Sequence, residues 1–222
     1  MDKAKSQRRA EPRSKRKPKG SGSERRSEIL NAARELFASE GFARVTTRAL
    51  AEKAGLSQTG LYIYFATKED ILRAISEETH EAMTAAFERS VIDGDTPREN
   101  LRRLTRAYID FGLSHPADYQ LTFTVSPEAL GPLKKDFSIP SQRQEPGARS
   151  FMRFAELLDD ACGPELLGEL EPLVVTQILW FIGHGAVSLL ISRPDFPWAD
   201  RETLIDGLEA LVLNGVFGRA VA

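Results

Sequence analysis

A single cysteine, Cys162, stands in 222 residues, so no intrachain disulfide can form, and a reducing cytoplasm is the compartment this implies. Histidine is nearly as scarce: His80, His115 and His184 are scattered. The acids around His80 in "EETHE" (77–81) occupy consecutive helix positions, which point around the cylinder instead of converging on a metal. That stretch reads as a solvated helix face. No phosphate-cradling glycine loop and no nucleophile elbow occurs. These gaps argue against an enzyme and against any cofactor or metal. Strand-like alternation of useful length is also lacking, so the expected fold class is all-α. One run lacks charge altogether: Pro172 to Ser192 holds no Asp, Glu, Lys or Arg, long enough to cross a bilayer at ~20 residues. Thr176, Gln177, His184 and Ser188 interrupt it, with Gly183 and Gly185. They favour a helix buried on all sides in a soluble dimer over a membrane span. Residues 1–26 carry no apolar leader.

What is present is unevenly charged. Residues 1–70 hold 16 Lys/Arg against 9 Asp/Glu, and residues 71–222 hold 14 against 23, giving the net −2 of the chain. A basic N-terminal third suits a polyanionic partner and the acidic remainder does not. Residues 1–22 read as a disordered basic tail, too polar to offset the entropy of ordering. Such a tail either solubilises the chain or adds phosphate contacts.

From about Ser23 the pattern turns helical. Ile29, Ala33, Leu36 and Phe37 share one face, and Gly41 suits the residue just past a helix end. Thr46 is a good N-cap for a second helix to Ala54, Gly55 allows a left-handed turn, and Ser57 caps a third helix through about Tyr64. "TKED" (67–70) reads as a capping box opening a fourth helix, continued by Ile71, Leu72, Ile75, Ala82 and Ala86. "TPRE" (96–99) opens the next with Thr96 as cap and Pro97 at the first position. A short helix follows around Tyr119, Leu121 and Phe123. Residues 125–147 read as a long, partly mobile connection, with prolines at 127, 132, 140 and 146. Three more helices are expected, near 147–161, 172–192 and 200–217, for about nine in all.

The second and third helices, joined by "GLS", have the helix-turn-helix layout, in which the second member enters the DNA major groove. Such a helix must be thin on its DNA face, which Thr59 and Gly60 provide. Ser57, Gln58, Thr59 and Tyr64 offer short-reach hydrogen bonds to phosphates or base edges. Tyr62 and Tyr64 lie about 200° apart on a helix, so one meets DNA while the other, with Phe65, locks the helix to its domain. Leu61 and Phe65 read as core. Lys68 adds a charge near the same backbone. Ile63 can contact only apolar groups such as a thymine methyl, so a preference for T at its base step is expected.

The stretch "LFASEGFARVTTRALAEKAGLSQTGLYIYFATKEDIL" (36–72) resembles the DNA-binding domain of the tetracycline-repressor (TetR) family. The matching features are Phe37, Gly41-Phe42, Thr46-Thr47, Ala51, Ala54-Gly55-Leu56-Ser57, Leu61-Tyr62, Phe65 and Lys68-Glu69. The resemblance implies a homodimeric transcriptional regulator, usually a repressor, whose N-terminal helices bind a palindromic operator. The C-terminal helices would dimerise and bind a small effector that releases the DNA. Carried over by position, Thr46, Thr47 and Arg48 would contact phosphate or a base. Ser57, Gln58, Thr59 and Gly60 would open the recognition helix, and Tyr62, Tyr64 and Lys68 would contact phosphate. Gly60 and Ile63 depart from the family's usual residues. The implied division is a DNA-binding domain over 23–70 and an effector-binding and dimerisation domain over 71–222.

"WFIGHGAVSLL" (180–190) resembles, more distantly, a subgroup with a Trp-x-x-x-His-Gly signature, here Trp180, His184 and Gly185. Gln177, Trp180, His184 and Ser188 share one helix face, and Val175, Ile178, Ile182 and Leu189 the opposite one. The first is expected to face a pocket and the second to pack or dimerise. Tyr108, Phe111, Tyr119, Phe123, Phe151 and Phe154 could line that pocket, suiting a largely apolar effector, though each also fits ordinary core. The helices near 172–192 and 200–217 should pair with their twofold copies. A non-sensing DNA-binding or architectural protein is the alternative.

Overall fold

A computed structural model describes residues 22–125, 145–163 and 170–217. The basic tail up to residue 21, residues 126–144 of the proline-rich connection and Pro164 lie outside the described residues. Nine helices and no strand are present among the described residues: α1 (Gly22–Glu40), α2 (Thr47–Lys53), α3 (Gln58–Tyr62), α4 (Lys68–Ser90), α5 (Pro97–Ser114), α6 (Pro116–Phe123), α7 (Pro146–Cys162), α8 (Pro172–Ser192) and α9 (Arg201–Phe217).

Their boundaries follow local chemistry. Thr46, Ser57, Thr67 and Thr96 each accept a backbone N–H two or three residues into the helix they open. At α4 the bond is reciprocated, since Asp70 accepts the Thr67 N–H at 3.0 Å. The end of α2 is a Schellman turn: Leu56 N–H reaches Ala51 O at 2.8 Å and Gly55 N–H reaches Glu52 O at 3.0 Å. Gly55 sits at φ 67°, a conformation that side chains resist.

Two hydrophobic clusters form. One joins Ile29, Leu30, Phe37, Val45, Leu50, Leu61, Phe65, Ile71, Leu72 and Ile75 with Leu121 of α6. The other gathers Met83, Phe87, Leu101, Leu104, Tyr108, Tyr119, Phe154, Leu179 and Val187, among others. Helix α4 serves both, its first turns in one and its last in the other. Arg34 of α1 ties the two regions together, donating to Glu78 of α4 at 2.8 Å and to Asp118 of α6 at 2.7 Å. Helix α5 is central to the second region and packs on α4, α7, α8 and α9. It meets α8 closely: a Cβ on Gly112 would lie 2.4 Å from Val187 Cγ1, and one on Gly183 would lie 2.9 Å from Tyr108 Cδ1.

Two expectations are corrected here. His80 is buried, against Phe123 with ring centroids 5.3 Å apart, because α7 and α6 cover the side of α4 that the acids at 77–81 seemed to assign to solvent. Ala82 is exposed, and Thr79 and Met83 take the inward positions.

Candidate nucleic-acid interface

The surface of α2 and α3 is polar above an apolar base. Leu50, Ala51, Leu61 and Phe65 are buried and hold the pair on α1 and α4. Thr46, Arg48, Ser57, Gln58 and Thr59 are exposed, and Thr47, Gly60 and Lys68 half-buried. The Thr46 and Ser57 oxygens accept from Ala49 N–H and Gly60 N–H, which leaves each hydroxyl proton free for an acceptor outside. Arg48 makes no hydrogen bond or ion pair among the described residues, so its guanidinium is available to a phosphate.

Helix α3 is shorter than expected, ending at Tyr62, and residues 63–64 form a turn in which Tyr64 N–H bonds Leu61 O. Ile63 nevertheless keeps right-handed helical torsions, φ −66° and ψ −29°, and Phe65 N–H bonds Leu61 O at 3.1 Å. Both phenols reach the surface, Tyr62 at 47 % and Tyr64 at 37 % exposure, and Phe65 alone locks the element inward. Ile63 projects furthest, at 77 %. Tyr62 is not isolated: its hydroxyl lies 3.4 Å from Thr47 Oγ1, and Gln58 Nε2 donates to both, at 3.3 and 3.4 Å. Bonds from Thr47 and then Gln58 draw the phenol below its usual pKa, since they favour the charged oxygen.

Lys68, beside the same rim, is engaged within the chain. Its ammonium donates to Phe42 O, Ala43 O and Val45 O at 2.9, 3.2 and 3.1 Å, and sits 4.6 Å from the centroid of the Phe42 ring. Three donors meet three carbonyls, so the lysine ties the α1–α2 loop to α4.

The residues expected around a pocket divide into three groups. Tyr108, Tyr119, Trp180, His184 and Ser188 converge: Tyr119 and Tyr108 hydroxyls lie 3.0 Å apart, Tyr119 Oη lies 2.7 Å from His184 Nδ1, Trp180 Nε1 donates to Tyr108 at 3.1 Å, and Ser188 Oγ lies 3.4 Å from His184 Nε2. Phe123 packs on Tyr119 and His184, and Phe151 on Trp180. Phe154 joins the core against Phe87, and Phe111 stacks on His115. Gln177 is exposed, and the inward face of α8 is instead Val175, Thr176, Leu179, Gly183 and Val187. The physical reason is the crossing with α5, which the small Gly183 sets, turning Gln177 outward and Val175 in. Burial raises the Tyr108 pKa to about 12 and lowers that of His184, so the cluster stays neutral.

An open cavity lies elsewhere among the described residues. A groove of about 900 Å³ runs between α8 and α9, lined by Ile178, Ile182, Leu189, Leu208, Leu211 and other apolar side chains. Leu211 is 77 % exposed. Helix α8 is also the one helix among the described residues long and apolar enough to cross a membrane, yet its Val175–Val187 side packs on α5 and α7. In the single chain it is buried on that side only.

Residues 29–75 match the family model of bacterial regulatory proteins of the tetR family, and residues 101–211 that of the tetracyclin repressor-like C-terminal domain. The chain belongs to the TetR family. The first of these matches spans the helix-turn-helix at α2–α3. It is similar to the transcriptional regulator EthR of Mycolicibacterium smegmatis, 32 % identical over 108 residues that make up 48 % of this chain and 49 % of that one. It is also similar to the nucleoid occlusion factor SlmA of Vibrio campbellii, 33 % identical over 107 residues, 48 % and 53 % of the two chains. The chain thus spans about half the length of the curated relatives it matches. Among solved structures, the fatty acid degradation regulator FadR of Bacillus halodurans superposes with a TM-score of 0.66 at 16 % identity, over 90 % of this chain and 98 % of that one, a likeness of fold.

Proposed function

We propose that this TetR-family chain acts as a cytoplasmic homodimeric repressor that binds a palindromic operator and leaves it when a small, largely apolar effector binds. The carrying observation is the polar, exposed rim of α2 and α3 on a buried apolar base. Thr46, Thr47, Arg48, Ser57, Gln58, Thr59, Gly60, Tyr62, Ile63 and Tyr64 meet DNA in this reading, with the DNA-binding unit over 23–70 and residues 71–222 for the effector and the dimer. Lys68 contributes by shaping the loop. The apolar groove between α8 and α9 is the face a twofold copy would cover. Operator half-sites would lie ~34–36 Å apart. Aromatic side chains around Tyr119, Phe123, Phe151, Trp180 and His184 would receive the effector.

Selection of genomic fragments on the purified protein tests this reading. A short enriched palindrome, bound by a dimer in light scattering, supports it. Enrichment without sequence bias, or a monomer that binds DNA as well as a dimer would, sinks it. A second reading, DNA binding without effector release, is supported by the hydrogen bonds that Tyr108, Tyr119, Trp180, His184 and Ser188 make among themselves. Mass spectrometry of co-purified small molecules separates the two: a bound compound that dissociates the operator complex favours the repressor.

A further inference from the structure

We infer that the effector carries a neutral hydrogen-bond acceptor, a ketone or ester carbonyl, and that His184 meets it with an Nε2–H whose place Tyr119 fixes. The inference rests on the effector reading above and specifies the chemistry of that ligand. It follows from the direction in which protons must run through the buried cluster. Trp180 Nε1–H can only donate, and it donates to Tyr108 at 3.1 Å. The Tyr108 hydroxyl is buried, and its other partner is the Tyr119 hydroxyl at 3.0 Å. Its proton therefore goes to Tyr119, since a buried donor without an acceptor is costly. Ser188 donates to the same phenol oxygen. Two donors thus converge on Tyr119, and its own proton turns to His184 Nδ1, 2.7 Å away. That separation is ordinary for a hydroxyl donor and at the short limit for a ring N–H. Nδ1 is then the acceptor, and in a neutral imidazole the proton sits on Nε2. Burial lowers the His184 pKa and keeps the ring neutral.

The Nε2 side is where a ligand can be received. Ser188 Oγ is a loose partner there at 3.4 Å, and both side chains are half-buried. Tyr119, Phe123 and Trp180 surround the imidazole, with ring centroids 5.6, 5.3 and 5.9 Å from it, and Phe151 lies on Trp180. These rings suit an apolar body. A carbonyl oxygen on that body would take the Nε2 proton in a shorter bond. A head group that only donates, such as an aromatic N–H, would set two protons against each other. Tyr119 is the positioning residue, because its proton keeps Nδ1 bare.

The full chain with nitrogen-15-labelled histidine, at mildly alkaline pH, tests the tautomer. The His184 signals are those lost in His184→Gln. They should show a proton on Nε2 alone, and both tautomers should appear in Tyr119→Phe. Size-matched ring compounds test the head group: indanone, indole and indane, and fluorenone, carbazole and fluorene. In each set the ketone should release operator DNA at about tenfold lower concentration than the N–H compound, with the hydrocarbon between. In Tyr119→Phe the ring can present either nitrogen, so ketone and N–H compound should come within about twofold of each other. A cooperative melting transition in that variant shows that the change reports the ring and not unfolding. An Nδ1–H tautomer in the unsubstituted protein, or a ketone no better than its hydrocarbon or N–H analogue, overturns the inference and leaves the effector reading standing. Silence from all of these compounds also overturns it. The effector reading falls with it only if every co-purified compound leaves the operator bound.

Discussion

The α2–α3 unit and the α5–α9 region place polarity in opposite senses. At α2–α3 Leu50, Leu61 and Phe65 are inside, and hydroxyls, an amide and a guanidinium face out beside a single exposed aliphatic group, Ile63. In the α5–α8 core a string of hydroxyl, indole and imidazole groups is inside, bonded to itself, and leucines and isoleucines face out along a groove. Outward polar groups on a thin helix suit a hydrated polyanion, whose grooves are read by hydrogen bonds. An outward apolar groove suits another protein surface, since exposing it to water is costly. Exposure alone therefore does not identify a partner, and the chemistry of what is exposed does.

The sharpest way to break the contrast is to charge the groove. Leu211→Arg is expected to give a monomer in light scattering and to weaken operator binding on the order of 100-fold, because two half-sites would no longer be engaged together. A dimer with unchanged affinity would put the interface elsewhere.

Acid should unsettle the inward-polar region. Burial, and then the charge of Arg149, lower His80 from 6.5 to about 4. Since the folded pKa is the lower one, His80 has its full effect on stability above about pH 6.5, and stability is lost as pH falls from there towards about 4. The loss is about 3 kcal/mol at most. As pH falls through this window the melting temperature of the protein should drop relative to that of His80→Leu, and parallel curves would count against a neutral buried imidazole.

Tyr119→Phe takes away the hydroxyl between Tyr108 and His184. Taking one hydrogen-bond partner from the buried Tyr108 hydroxyl and from His184 should cost about 1–3 kcal/mol in urea unfolding with little change in operator affinity. The smallest effect on folding belongs to Ile63→Ala, within about 0.5 kcal/mol for so exposed a side chain. Its expected mark is loss of the preference for thymine at one base step. Equal affinity of the unsubstituted protein for all four bases there would remove Ile63 from recognition.

Much of this was legible in the order of residues. Thr46, Ser57, Thr67 and Thr96 announce helix starts because a cap needs only an oxygen within three residues of the N–H it accepts. Gly41 and Gly55 announce ends because only local torsion is at stake. Where a helix stops short, as α3 does at Tyr62, the decision belongs to the turn that seats Phe65 in the core, and the pattern of residues 57–64 did not reveal it.

Chain order alone thus settled the all-α class, the helix succession and the helix-turn-helix, since caps, turns and apolar periodicity act over a few residues. Tertiary packing alone decided that Lys68 binds three carbonyls from 23 to 26 residues away, that His80 is enclosed, that Gln177 faces water, and that Tyr119 meets His184 across 65 positions. Those outcomes depend on how whole helices cross, and the crossing of α5 and α8 is set by Gly112 and Gly183 against the neighbours they touch.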